Sequence, residues 1–380
     1  MVTRQVALVV VVILVAASWR PVLRPVGAGT VIVADIYSSV LWDRNVAAAV
    51  TPQPRIEETT LRVRDADMRV TWWIPGWGAR HPGVMLVNGA TEFGNDDSET
   101  RRLADALARA GYFVMLPEFP FIKAGTLERE APTIIDAAFA RLLSRAETRG
   151  MATGAFGFSV GGGMLLAAAS QGGALERASY VGALGAYFDL DTYLASVLGS
   201  AQRRNGVTES WEPDPEVRAR LPAAAAEALA DPSDRARLLG ALRASGGRLS
   251  GDPPNEMGDE AVSLWRALAT TDYDGALTRL RALPRSLRAV LERLSPRSSW
   301  SSLRPRVFWI HDVGDRFEPV SEAETAAATP HAGATRLHRT ALIAHAAALG
   351  QGARERGADF WVGELSGLLL FAAETLSAGG

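Results

Sequence analysis

Beyond Pro82 the chain alternates short apolar runs of strand length with longer stretches of helical periodicity, and this alternation leaves few folds open. Gly83–Val87, Tyr112–Leu116, Gly154–Phe158 and Tyr180–Leu184 read as strands; Ser98–Ala110, Leu127–Thr148 and Val160–Ser170 read as the helices between them. Strands separated by helices pair in parallel, which puts helices on both faces of a sheet and ligands beyond the carboxyl ends of its strands. An antiparallel pair precedes this unit: Ile56, Thr59, Leu61 and Val63, then Met68, Val70 and Trp72, alternate around a polar turn at Asp65–Asp67.

From about Asp189 to Leu303 the alternation stops. This segment is rich in Ala, Arg and Leu and shows helical periodicity at Pro222–Ala230, Asp234–Ala244, Asp259–Ala269 and Tyr273–Leu283, with no convincing strand. Glycine-rich Gly246–Gly258 reads as a mobile loop. The segment is expected to be an inserted helical cap, separable from the sheet. Strand signals resume at Val307–His311 and Thr335–Ala341, with helices near Ser321–Ala328 and from Ala358 to about Leu376.

Gly157-Phe158-Ser159-Val160-Gly161 lies where the strand Gly154–Phe158 meets the next helix, and Gly162 and Gly163 follow. A serine on so sharp a turn is exposed at the head of the sheet, and small neighbours let strand and helix approach. A glycine-rich phosphate turn is the competing reading, but the Walker lysine and the spaced dinucleotide glycines are missing. A nucleophilic serine needs a base, and the base an acid to orient it. In an elbow of this kind the acid and then the histidine follow the serine along the chain.

Asp315 sits just past the strand Val307–His311 and is the preferred acid, with Asp312 and Glu318 as rivals. Of the histidines after Ser159, His311 is expected to order the acid's loop, His331 lies in a connection, and His338 falls within a strand. His345, past that strand, is the expected base. The backbone N–H of Val160 and of Ala90, on the turn after Val84–Val87, are the expected oxyanion donors. A metal on His311, Asp312 and Asp315 has no further ligand pair at helical spacing to support it. No metal or cofactor is expected.

These residues resemble the α/β-hydrolase superfamily, and within it the bacterial esterase-like and dienelactone-hydrolase-like branch. The resemblance covers roughly Arg55–Tyr187 and Leu294–Leu376. Val84-Met-Leu-Val-Asn-Gly-Ala and Leu107-Ala-Arg-Ala-Gly-Tyr-Phe-Val-Met-Leu-Pro117 are similar to the oxyanion strand and the strand after it; Leu294-Ser-Pro296, Val307–His311 and Asp315 are similar to the approach to the acid. Two departures stand out: Asn88-Gly89 and His311-Asp312 replace the family's usual His-Gly pairs. The cysteine nucleophile of the dienelactone branch proper is missing, because the chain has no cysteine. The resemblance implies an α/β-hydrolase fold with an inserted helical cap and acyl-ester chemistry through Ser159, His345 and Asp315. A peptidase or acyltransferase on the same triad is the alternative within enzymes; a membrane-anchored binding protein with a degenerate site is the alternative outside them.

Composition narrows the partners. With 40 Lys and Arg against 42 Asp and Glu, the net charge of -2 offers no basic field for nucleic acid, and a small ester with an apolar group is the expected substrate. The uninterrupted apolar run Val6–Ala17, closed by Ser18, Trp19 and Arg20, is expected to be a signal peptide or signal anchor, giving export or membrane attachment. The chain therefore divides into that segment at 1–29, a connecting segment at 30–54 with a surface or membrane-proximal helix at Val31–Trp42, the core at 55–188 and 304–380, and the cap at 189–303. The oligomeric state is left open.

Overall fold

The computed structural model describes residues 24–42, 47–64, 66–345 and 355–378. The apolar run Val6–Ala17 lies outside them. Among the described residues no helix is long and apolar enough to cross a membrane.

Eight strands form the central sheet: β1 (Arg55–Val63), β2 (Ala66–Ile74), β3 (Gly83–Val87), β4 (Phe113–Pro117), β5 (Thr153–Phe158), β6 (Tyr180–Leu184), β9 (Arg306–Asp312) and β10 (Thr335–Thr340). Their spatial order is β1-β2-β4-β3-β5-β6-β9-β10. β1 and β2 pair antiparallel in the register Arg55↔Ile74 to Val63↔Ala66, and β2 pairs antiparallel with β4; every later pairing is parallel. β3 to β6 are buried along nearly their whole length, as expected when both faces are covered, whereas the edge strand β10 is only partly buried.

One face carries α3 (Ala131–Ser144) and α4 (Ser159–Ser170), which bury Ile135, Phe139, Met164, Leu165 and Leu166 together with Met85, Val87 and Ala155. The other carries α1 (Arg24–Trp42), α2 (Ser98–Arg109) and α12 (Ala358–Ser377). Here Ala28 and Ile32 join Val84, Leu86, Leu107 and Leu376 in a second core. The sequence reading made Val31–Trp42 a surface or membrane-proximal helix in a connecting segment. Instead α1 begins at Arg24, packs on α12 and α2, and buries Tyr37 with Leu368.

Residues 189–303 add no strand to the central sheet. They contain α5 (Leu190–Gly199), α6 (Pro215–Glu227), α7 (Pro232–Ala244), α8 (Asp259–Leu268), α9 (Tyr273–Arg281) and α10 (Arg285–Leu294). They also contain a two-stranded hairpin, β7 (Ala201–Arg204) with β8 (Val207–Ser210), which corrects the strand-free reading. The hairpin escapes a pattern search because its strands are polar and β8 is mostly exposed. The loop expected to be mobile is fastened, since Leu249 and Met257 are buried and Trp265 Nε1 donates to Gly251 O at 3.1 Å. The cap shares one continuous apolar core with the sheet face beneath it.

Candidate active site

The elbow forms as its glycines require. Ser159 follows β5 directly and opens α4 with φ of 50°, a left-handed conformation that is costly for a side-chain-bearing residue. A methyl at Gly157 would lie 2.6 Å from Gly162 Cα, and one at Gly161 would overlap Asn88 O. The glycines therefore let the strand, the helix and the turn after β3 meet at one point. That turn crosses over the nucleophile: a methyl at Gly89 would stand 3.1 Å from Ser159 Cβ. Asn88, the first departure from the family's His-Gly, fastens it, with Nδ2 donating to Gly94 O at 2.6 Å and Oδ1 accepting from Thr100 Oγ1 at 2.5 Å. Ala90 and Val160 both line the cavity in front of Ser159. The Val160 N–H lies in the first turn of α4, where helical amides have no intrahelical partner.

Asp315 is buried in the loop between β9 and α11 (Val320–Ala328). Its Oδ1 accepts the N–H of Phe317 at 2.7 Å and of Glu318 at 3.1 Å, while Oδ2 accepts from His345 Nδ1 at 2.9 Å. The turn so formed aims Phe317 and Glu318 at the same imidazole. Phe317 stacks on it with ring centroids 4.6 Å apart, and Glu318 Oε2 lies 3.1 Å from Nδ1. Gly185, at φ of 54°, leaves room for the pair, since a methyl there would come within 2.9 Å of His345 Nδ1.

Asp315 and His345 thus meet as the sequence expects, but the Ser159 hydroxyl donates to Glu318 Oε1 at 3.0 Å. Among the described residues no hydrogen bond joins Ser159 to His345. Glu318 was legible only as a rival acid, because the turn that points it back at Ser159 depends on Asp315 Oδ1 accepting the N–H groups of both Phe317 and Glu318.

The other histidines are accounted for elsewhere. His311 is buried and donates from Nε2 to Glu318 O at 2.9 Å, which orders the loop as expected. His331 contacts Leu303 O and Thr335 Oγ1. His338 faces Gly367 and Phe371 of α12. Of the rival acids, Asp312 accepts the Gly314 N–H at 2.9 Å.

Burial and charge pull against each other in this cluster. Burial pushes Glu318 up, the His345 charge opposes it and Asp315 adds to it, leaving the carboxyl at about 8. Burial disfavours the His345 imidazolium, but Asp315 and Glu318 more than offset this and raise it to about 9. Burial works against the Asp315 charge too, yet the His345 charge and hydrogen bond hold that carboxyl below its ordinary value. Asp315, Glu318 and His345 also present one ligand atom each within 4.8 Å of one another. The distance of 2.9 Å between His345 Nδ1 and Asp315 Oδ2 is that of a hydrogen bond, and a cation there would have to displace its proton.

In front of Ser159 opens a cavity of about 690 Å³. Leu221 and Ala224 of α6 roof it, and it continues between the sheet and the helix layer, past Phe156, Leu184 and Ile310 to Ile32 and Phe371.

An eight-stranded, mostly parallel sheet with helices on both faces and a serine in the strand-to-helix elbow defines the α/β-hydrolase fold, and this chain has it. No family model matches the chain, and no curated protein matches its sequence. Solved structures similar to it include a dienelactone hydrolase from Anabaena variabilis, with 12% identity over 85% of this chain and 97% of that one and a TM-score of 0.43. Est1E from Butyrivibrio proteoclasticus matches at 11% identity over 84% and 99% with a TM-score of 0.46. A 2,6-dihydroxy-pseudo-oxynicotine hydrolase matches at 15% identity over 92% and 82% with a TM-score of 0.48. These are likenesses of fold.

Proposed function

We propose that this protein is a serine hydrolase that cleaves carboxylic ester bonds through an acyl-enzyme on Ser159. The observation that carries the reading is the Ser159 hydroxyl, held on a left-handed elbow and hydrogen-bonded into a buried carboxylate–imidazole cluster at the head of an apolar cavity. Ser159 Oγ attacks the ester carbonyl, and the Asp315–Glu318–His345 cluster takes up its proton. The N–H groups of Val160 and Ala90 receive the developing oxyanion. The cavity's apolar lining supports an apolar acyl or alkyl group on the substrate. A fluorophosphonate probe is expected to label the wild-type protein covalently, and Ser159→Ala to abolish labelling while the fold is retained. A folded wild-type chain that takes up no probe would overturn the reading in favour of a binding protein on a hydrolase scaffold.

A further inference from the structure

We propose that Glu318 is a catalytic residue, the carboxylate that removes the Ser159 hydroxyl proton during acylation. The inference rests on Ser159 being the nucleophile. Glu318 Oε1 accepts from Ser159 Oγ at 3.0 Å, Oε2 lies 3.1 Å from His345 Nδ1, and the Tyr193 hydroxyl also borders the carboxyl. That nitrogen also faces Asp315 Oδ2 at 2.9 Å. Nδ1 therefore carries its proton toward Asp315 and cannot receive one from Ser159, and among the described residues no hydrogen bond joins the Ser159 hydroxyl, which donates to Glu318, to the other ring nitrogen. Glu318 is fully buried, and its backbone is clamped at both ends, N–H on Asp315 Oδ1 and C=O on His311 Nε2. Its carboxylate is therefore held against the nucleophile.

The step balances without a co-reactant. As Oγ bonds to the acyl carbon, its O–H bond breaks and the proton passes to Oε1, leaving Glu318 a neutral acid. When the tetrahedral intermediate collapses, the bond to the alcohol breaks and that proton goes to the departing alkoxide. Water repeats the cycle in deacylation, giving a proton to Glu318 that then returns to Ser159 Oγ. Burial, the main influence on this carboxyl, makes it basic enough for the task near neutral pH. The titratable groups around it are Asp315 and His345, with Tyr193 of the cap and His311 behind the loop. His345 and Asp315 then act as positioning residues, Asp315 by accepting the Glu318 N–H and His345 by its hydrogen bond to Asp315.

The test is the rate of fluorophosphonate labelling of the full chain between pH 6 and 10, for wild type, Glu318→Gln, Glu318→Asp and His345→Ala. Folded Glu318→Gln is expected to label about 10²–10⁴-fold more slowly than wild type and to lose the rising pH limb. Glu318→Asp keeps the carboxylate and is expected to keep that limb, displaced along the pH axis; it serves alone if the glutamine variant does not fold. Labelling of Glu318→Gln within tenfold of wild type, or an undisplaced limb in Glu318→Asp, overturns the assignment. In either case wild-type labelling that depends on Ser159 leaves the hydrolase reading standing, whereas its absence removes that reading itself.

Discussion

At the level of single residues, the site places two carboxylates and an imidazole where water is scarce, and the consequences for stability and for rate run in opposite directions with pH. Glu318, raised to about 8 from an ordinary 4.5, binds its proton more tightly folded than unfolded. Its stabilising contribution is full below 4.5 and is lost as pH rises through 8. His345, raised to about 9 from 6.5, contributes fully below 6.5 and loses that contribution through 9. Asp315, held below its ordinary value, has the opposite sign and matters only in acid. The thermal midpoint is therefore expected to fall between pH 6 and 9 while the labelling rate rises through 8 to 9, as a proton acceptor is freed. Scanning calorimetry across that range checks the first, and Glu318→Gln should flatten the slope. A flat midpoint in the wild type would contradict the charge arrangement. Gly185 gives a second prediction: Gly185→Ala incurs about 1–2 kcal/mol of left-handed backbone cost and crowds His345 Nδ1. Slower labelling with a modest drop in midpoint is expected, measured side by side.

At the level of elements, the sequence revealed most where periodicity and turn chemistry act locally. β3, β5 and β6 are short, apolar and bounded by glycine or polar residues, and the elbow follows from four glycines around one serine. Asp315 and His345 were placed by chain order, and they do meet. What stayed hidden depends on partners remote in sequence. The burial of α1 follows from α12 at the far end of the described chain, and the Ser159–Glu318 contact follows from a turn tightened by Asp315. A protein begun at Thr30 would cut α1 and uncover part of the second core. Truncation there is expected to lower the unfolding midpoint relative to one begun before Arg24. Ile32→Ala is expected to cost about 2 kcal/mol, the low end for such a truncation, because Ile32 already borders the cavity. Equal midpoints for the two start sites would show that α1 contributes nothing to the core.

At the level of the whole molecule, 189–303 behaves as part of one body. Trp211 Nε1 donates to Asp315 O at 2.7 Å, Tyr193 OH donates to Phe317 O at 2.9 Å, and Asp214 N–H donates to Arg316 O at 2.7 Å. Excising 189–303 would expose the shared apolar core and strip three donors from the acid's loop, so the remaining sheet is expected to lose cooperative unfolding. A sharp, reversible transition in the excised chain would show instead that the sheet is autonomous. The tie at Trp211 also bears on admission. A roof that swung aside would drag the indole from Asp315 and slacken the turn that aims Glu318, so opening wide and staying armed are mutually exclusive. For the ester hydrolysis proposed above, selection would be by girth at a closed doorway, and Trp211→Phe, which cuts the tether, should widen the range of esters accepted while slowing every one of them.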